Sequence, residues 1–155
     1  MSTIKNNGGH LTYPNLPIFV ALSNGAGADG MTLTNSMVEL TLYTNISINR
    51  GNHYNNSTCR FTCPVAGIYE FGMNFIAGDA NDVYRFHFYK NGVAQNPQLR
   101  IDTTDSTNND YETAFISVYL DCAKDDYVSI YGMSDGGSDK FSNLSYDYFQ
   151  GRLIG

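Results

Sequence analysis

Short stretches of alternating apolar and polar residues, each followed by a turn signal, recur along this chain of 155 residues. In the stretch 83–90 (VYRFHFYK), the alternate positions from Tyr84 to Phe88 are aromatic and share one face. Successive strand side chains point to opposite sides of a sheet, so the stretch predicts a strand with one buried face. Asn91-Gly92 follows, and this pair predicts a hairpin because both central residues of a type I′ turn need a positive φ.

Similar stretches predict an all-β fold. No stretch has a sustained 3.6-residue apolar period, and Ala, Glu and Lys are sparse, so helices should be minor. Eight or more short strands in one domain are typical of a β-sandwich or jelly roll. The predicted strands cover residues 18–22, 38–43, 60–63, 68–77, 83–90, 111–120, 127–133 and 144–154.

The chain is predicted to form one domain with a short arm. Its length is near the common domain size, and no linker, charge run or internal repeat divides it. Residues 1–15 are polar and contain Gly, so they should form an N-terminal arm outside the core. Residues 16–155 should form the domain.

Charge and hydropathy exclude some partners. The net charge is -6 and no Lys/Arg cluster occurs, which argues against nucleic acid and against an anionic membrane surface. No apolar run approaches 18 residues, so membrane insertion is not expected. The N-terminus lacks the layout of a secretory signal, which favours assembly without classical secretion. The alternative is a leader that was removed.

The sequence contains few residues arranged as catalytic or metal-binding motifs. It contains no Gly-x-Ser-x-Gly elbow and no phosphate-binding loop, and His10, His53 and His87 are scattered. Three cysteines are too few for a disulfide framework, and their spacing gives no zinc site, so reduced, partly buried thiols are expected. The chain is therefore predicted to have no enzymatic activity and no resident cofactor.

The acidic loops contain the candidate metal ligands of the sequence. Asp79, Asp82, Asp102 and Asp105 lie in turn-like stretches that could supply oxygen ligands to calcium. No stretch has the spacing of an EF-hand, and solvated turn residues are the alternative interpretation.

One strand has two apolar faces. In the stretch 114–120, Ala114, Ile116, Val118 and Leu120 share one face, whereas Phe115 and Tyr119 lie on the other. A solvated Phe115 and Tyr119 would forfeit several kcal/mol of burial at roughly 1.5–3 kcal/mol each. We therefore predict that a symmetric partner copy covers them, the alternative being a loop or the N-terminal arm.

The segment 43–75 resembles the signature of the complement C1q globular-head domain. In that signature an aromatic residue, Asn or Asp, a second aromatic, Phe and Gly-x-Tyr-x-Phe follow at fixed intervals. The positions that match without insertion are Tyr43, Asn49, Tyr54, Phe61, Gly67, Tyr69 and Phe71. Residues 16–21 (LPIFVA) are similar to the family's first strand, and Phe149 and Gly151 to its final Phe-x-Gly-x-Leu strand.

The resemblance implies a ten-stranded jelly roll of C1q/TNF type that packs as a homotrimer, binds ligands through its loops and has no enzymatic activity. One sheet of such trimers faces the three-fold axis, as expected for Phe115 and Tyr119. In the residues themselves, Tyr69, Phe71 and Met73 alternate onto one face and should fill the core.

The sequence is compatible with two functions. The resemblance to animal C1q proteins would imply a signal peptide and a collagen stalk with the domain at its tip. This sequence shows neither a signal peptide nor a Gly-x-y repeat. We therefore expect a virion surface protein, namely a bacteriophage capsid decoration protein or fibre knob that contacts another virion protein or a host receptor or glycan. The alternative is a secreted or cell-surface C1q-like ligand-binding protein.

Overall fold

A computed structural model of the chain describes residues 5–7, 10–12, 16–24, 31–77, 82–103, 112–136 and 146–155. All secondary structure in these residues is β. The strands are β1 (Lys5–Asn7), β2 (His10–Thr12), β3 (Ile18–Leu22), β4 (Val38–Glu39), β5 (Asn45–Arg50), β6 (Tyr54–Asn55), β7 (Arg60–Thr62), β8 (Gly67–Ala77), β9 (Val83–Lys90), β10 (Val93–Ala94), β11 (Leu99–Asp102), β12 (Glu112–Cys122), β13 (Tyr127–Ser134) and β14 (Tyr148–Leu153).

Two antiparallel sheets form the body of the fold. The five-stranded sheet has the order β12-β8-β14-β3-β5, with a bulge between Val20 and Ala21 where β3 pairs with β5. The seven-stranded sheet has the order β10-β9-β13-β7-β6, and β11 and β4 pair with β9 and β13 outside this path. Two five-strand paths in face-to-face sheets are the arrangement expected of a ten-stranded jelly roll.

Strand alternation places the core between the sheets. Tyr69, Phe71 and Met73 of β8 are fully buried, as the sequence predicts. In β9 the alternating pattern buries Tyr84, Phe86 and Phe88 and leaves the residues between them half-buried. Residues two positions apart in β8 and β9 therefore supply many of the aromatic side chains of this core.

The observed strands correct several sequence-based bounds. The predicted strand 38–43 shortens to Val38–Glu39, although the Leu40 N–H still donates to the Ile130 carbonyl at 2.8 Å. The predicted strand 144–154 shortens to Tyr148–Leu153 within the described residues, and β5 was not predicted at all. Strand β5 was missed because its two isoleucines alternate with Asn and Ser and are exposed.

The predicted N-terminal arm has one described feature. Strands β1 and β2 pair with each other, and no ladder in the described residues joins them to either large sheet. The division at residue 16 stays a prediction. No helix long and apolar enough to cross a membrane occurs among the described residues.

Candidate functional site

The aromatic residues of the sequence signature lie in the core, where they cluster with Phe19. The Phe19 ring stacks on Tyr54 and on Phe61, with centroids 4.6 and 4.8 Å apart, and meets Phe149 edge-on at 4.7 Å. The remaining signature aromatics, Tyr43, Tyr69 and Phe71, are also fully buried. The cluster therefore supports the fold and offers no side chain to a ligand.

Asn49 has a structural role as well. Its side-chain amide donates to the Tyr54 carbonyl at 2.8 Å, and its side-chain oxygen accepts from the Tyr54 N–H at 3.1 Å. The Tyr54 hydroxyl in turn donates to the Tyr43 carbonyl at 2.7 Å. These hydrogen bonds link three signature residues and close the turn between β5 and β6.

The two signature glycines lie where neighbouring groups leave no space for a side chain. A Cβ on Gly67 would approach the Gly155 carbonyl oxygen to 2.5 Å, and one on Gly151 would approach the Phe71 ring to 2.5 Å. Real Cβ atoms essentially never come this close. Both positions therefore require glycine for packing.

Phe115 and Tyr119, the predicted trimer face, are the most exposed aromatics of the five-stranded sheet. Their exposed fractions in the single chain are 52 % and 65 %. The Phe115 ring touches Tyr148 of β14, with centroids 6.5 Å apart. Their strand neighbours Val118 and Leu120 are buried in the core. The two-faced apolar pattern of β12 is thus present in the fold.

The register extends this apolar face across the whole sheet. Phe115 lies opposite Asn74, which lies opposite Tyr148, and the row continues through Leu22 of β3 to Asn45 of β5. A second row runs from Tyr119 through Glu70 and Arg152 to Ile18. We call the side turned away from the core the outer face of the five-stranded sheet. Its apolar residues are Ile18, Val20, Leu22, Ile48, Ile68, Phe115, Tyr119 and Tyr148.

The middle of this outer face is polar and slightly hollow. Arg152 forms an ion pair with Glu70 at 2.7 Å, and Gln150 lies beside it. A shallow depression of about 180 Å³ opens here, and Ile18 and Val20 form its apolar side. The face thus has an aromatic end on β12, an aliphatic end on β3 and β5, and a polar centre.

The outer face of the seven-stranded sheet has a different character. Arg60 donates two hydrogen bonds of 2.7 Å to Glu39, and its guanidinium lies 4.4 Å above the Tyr127 ring centre. The hydrogen bonds from Arg60 hold the pKa of Glu39 below its usual value. Nearby, Tyr89 and Tyr131 stack with centroids 3.8 Å apart. Charges and aromatic rings on this face already have partners within the chain.

The structure describes two of the four calcium candidates, Asp82 and Asp102, and each has partners within the chain. Asp79 and Asp105 lie outside the described residues. Asp82 is buried, and one of its carboxylate oxygens accepts from the N–H groups of Val83 and Gly136, both at 2.7 Å. Asp102 is exposed and pairs with Arg100 at 2.9 Å. Among the described residues no group of three or more His, Cys, Asp or Glu side chains could hold a metal ion.

One buried carboxylate escaped the sequence analysis. Asp147 is fully buried, and one of its oxygens accepts from the Ile76 N–H at 2.9 Å. The other oxygen has no hydrogen-bond partner among the described residues. Burial raises the pKa of this carboxyl to about 8. Alternation was the available signal, since Asp147 is in phase with the inward residues Phe149 and Gly151.

The cysteines are free and fully buried, whereas partial burial was expected. Cys59 lies in the turn before β7 with a φ of 52°, and its thiol donates to the Asn56 carbonyl at 3.7 Å. Cys63 and Cys122 lie near each other at the end of the sandwich. Burial raises the pKa of Cys59.

These features define a class of protein. Two antiparallel sheets closed over an aromatic core, with the most exposed aromatic side chains of one sheet at its edge strand, form a TNF-like jelly roll. The C1q domain model matches residues 26–154 of this chain. The chain belongs to the C1q domain family, whose members are generally non-enzymatic, ligand-binding modules.

A solved structure agrees with this fold. The globular domain of zebrafish complement 1qA protein superposes with a TM-score of 0.61 at 19 % sequence identity. The match covers 90 % of this chain and 98 % of the zebrafish chain. At this identity the similarity concerns the fold alone.

Proposed function

We propose that this C1q domain works as a homotrimer that binds a ligand and catalyses no reaction. The observation that carries the proposal is the collection of exposed apolar side chains on the outer face of the five-stranded sheet. Phe115 is 52 % and Tyr119 is 65 % exposed, and Ile48 on the opposite edge is 42 % exposed. Covering the exposed part of such a side chain contributes about 1–2 kcal/mol, so a partner copy gains from each.

The contrast between the two outer faces supports the choice of interface. The seven-stranded sheet satisfies its outward charges internally through the Glu39–Arg60 pair and the Arg85–Asp135 pair. Such a surface loses little by staying in water. Aromatic residues are enriched at interface cores, and Phe115 and Tyr119 are exposed on the outer face of the five-stranded sheet.

The outer face of the five-stranded sheet has two different ends, which suits a closed ring of three chains. In a cyclic trimer each copy offers one patch to one neighbour and a different patch to the other. The aromatic residues of β12 form one patch, and Ile18, Val20 and Ile48 form the other. A two-fold dimer would need one self-complementary patch instead.

Native mass spectrometry and light scattering at micromolar concentration test the proposal. The expected species has three times the chain mass of 17.2 kDa. The double variant F115K/Y119K should be a folded monomer, because both side chains are exposed within the chain and a charge is costly only once a partner covers it.

The matched control is Val93→Lys. Val93 is 64 % exposed on β10 of the seven-stranded sheet, so the substitution replaces an exposed apolar residue by lysine at the other sheet. This variant should stay trimeric. A stable monomer of the unaltered chain, or dissociation of the Val93→Lys variant alone, would contradict the assignment of the interface.

The place where the trimer works stays a prediction from the sequence. We retain the virion surface as the proposed location, with a virion protein, host receptor or glycan as partner. Mass spectrometry of purified particles tests it. Absence of the chain from particles would leave the secreted or cell-surface ligand-binding protein as the proposal.

A further inference from the structure

Two of the buried thiols connect the two sheets. Cys63 directly follows β7 of the seven-stranded sheet, and Cys122 is the last residue of β12 in the five-stranded sheet. Both are free and 0 % exposed, and both belong to the same core cluster. A bond between them would join the sheets directly.

The backbone holds the two residues side by side. The Cys63 N–H donates to the Asp126 carbonyl at 2.7 Å, and the Asp125 N–H donates to the Cys63 carbonyl at 2.8 Å. Both partners belong to the turn that begins immediately after Cys122. The two thiols also influence each other, which raises the pKa of Cys63 and lowers that of Cys122.

A cation lies next to this pair. The Lys90 ammonium donates to the Asp121 carbonyl at 2.8 Å, beside Cys122, and lies 3.9 Å from the Asp126 carboxylate. The hydrogen bond from Cys63 lowers the pKa of the Cys122 thiol, and Lys90 lowers it further, whereas burial and the nearby Asp126 and Asp121 oppose the shift. Of the two thiols, Cys122 is therefore the one whose surroundings favour the thiolate.

We propose that Cys63 and Cys122 are a redox-sensitive pair that a small peroxide converts into a disulfide between the two sheets. The Cys122 thiolate attacks hydrogen peroxide, the O–O bond breaks, and a sulfenic acid and hydroxide form. The Cys63 thiol then attacks the sulfenic sulfur, the S–S bond forms as the S–O bond breaks, and water leaves with the thiol proton. The pair loses two electrons and the peroxide gains them.

The disulfide changes the stability of the fold. It closes a loop from residue 63 to residue 122, which removes conformations from the unfolded chain. A loop of this length should raise the Tm by about 5–10 °C. A reductant should reverse the change, because a disulfide, unlike a sulfinic acid, is reducible.

Thiol counting tests the proposal on the full chain. After treatment with hydrogen peroxide, removal of the oxidant and denaturation, the number of titratable thiols should fall from three to one and return to three with dithiothreitol. Peptide mapping should find Cys63 linked to Cys122 within one chain, and the Tm should rise as stated.

Cysteine variants provide the controls. Cys59→Ser removes the third buried thiol and should still form the link, whereas Cys122→Ser should keep both remaining thiols and show no rise in Tm. Three titratable thiols after oxidation, a link that includes Cys59, a link between chains, or thiol loss that dithiothreitol does not reverse would each overturn the proposal. The wild-type peptide map decides the question even if a variant folds poorly.

Discussion

At the scale of single residues, Gly151 shows how tightly the aromatic core is packed. A Cβ at this position would lie 2.5 Å from Phe71 and 2.7 Å from Phe19, whose rings are themselves held by other rings. Because neither ring can move freely, Gly151→Ala should lower the free energy of unfolding by about 2 kcal/mol. Urea unfolding at a fixed protein concentration measures this change.

Gly72→Ala is the matched control for this substitution. Gly72 pairs with Gln150 of the same sheet, but its Cβ would point to the outer face and meet the Gln150 amide and the Phe115 ring at 3.2 Å. Both are ends of side chains with room to adjust, so the loss should stay below about 1 kcal/mol. Equal losses for the two variants would contradict the idea that Gly151 is fixed by ring packing.

Asp147 gives a pH dependence with a defined sign. Burial raises the pKa of its carboxyl to about 8 in the folded chain, against 3.8 in a model peptide. The folded chain therefore holds this proton more tightly than the unfolded chain does. The contribution is fully present below about pH 4 and is lost as the pH rises to about 8.

We expect the wild type to lose roughly 3–4 kcal/mol between pH 5 and pH 8 from this group, and Asp147→Asn to remove most of that slope. Asp126→Asn is the control, since hydrogen bonds from Asn91 and Ala123 lower the pKa of Asp126 and move its titration below this window. Urea unfolding at both pH values measures the slopes. An unchanged slope in the Asp147 variant would refute the assignment.

At this scale the sequence predicts much of the core. The alternation in β8 and β9 identifies the inward residues because each side chain has only two sides to choose from. It does not identify Phe19 as the centre of the aromatic cluster, since that role depends on which strands meet across the sandwich. Nor does spacing alone bring Cys63 beside Cys122, which lies 59 positions later and in the other sheet.

At the scale of elements, the β9–β10 hairpin follows the sequence rule closely. Asn91 and Gly92 have φ values of 51° and 78°, so the predicted type I′ turn is confirmed. The Asn91 side chain also accepts from the Tyr127 N–H at 2.9 Å and donates to Asp126 at 2.7 Å. A turn chosen for its local conformation thus also fixes the start of β13.

Gly92→Ala tests the backbone requirement of this hairpin. A Cβ would meet only the Tyr127 hydroxyl at 3.6 Å, so the cost comes from the left-handed conformation and should be about 1 kcal/mol. Val93→Ala, one residue further on an exposed position, should change stability by less than about 0.5 kcal/mol. Urea unfolding of both variants measures the difference, and a neutral Gly92→Ala would argue against a left-handed turn.

Strand β5 was harder to predict than the central strands of its sheet. Central strands such as β8 are buried on the core side along their whole length, which makes their apolar pattern long and regular. Strand β5 lies at an edge, and its Ile46 and Ile48 are 38 % and 42 % exposed. Apolar periodicity therefore detects a strand by its buried face. A strand such as β5, whose isoleucines are exposed, gives only a weak periodic signal.

At the scale of the whole molecule, the apolar pattern of β12 predicted an exposed apolar surface, but β12 contributes only part of the outer face of the five-stranded sheet. The sequence pointed to Phe115 and Tyr119, but the matching aliphatic residues of β3 and β5 become neighbours only once the order β12-β8-β14-β3-β5 is known. Sheet order depends on the crossovers of the jelly roll, which no local pattern encodes. The resemblance to the family gave the fold, and the register gave the extent of the face.

If this face is covered by two further copies, the stability of the protein must depend on its concentration. Unfolding then converts one trimer into three chains, so mass action favours the folded state more strongly as the concentration rises. A tenfold increase stabilises each folded chain by about 1 kcal/mol, which should raise the Tm by about 2–4 °C.

Calorimetric scans at two concentrations tenfold apart measure this shift. The F115K/Y119K variant is the control, because a monomer unfolds with a Tm that does not depend on concentration. The Val93→Lys variant should behave like the wild type, since its charge lies on the other sheet. A wild-type Tm that stays constant across the tenfold range would mean that the outer face of the five-stranded sheet stays in water, and the trimer would have to be abandoned.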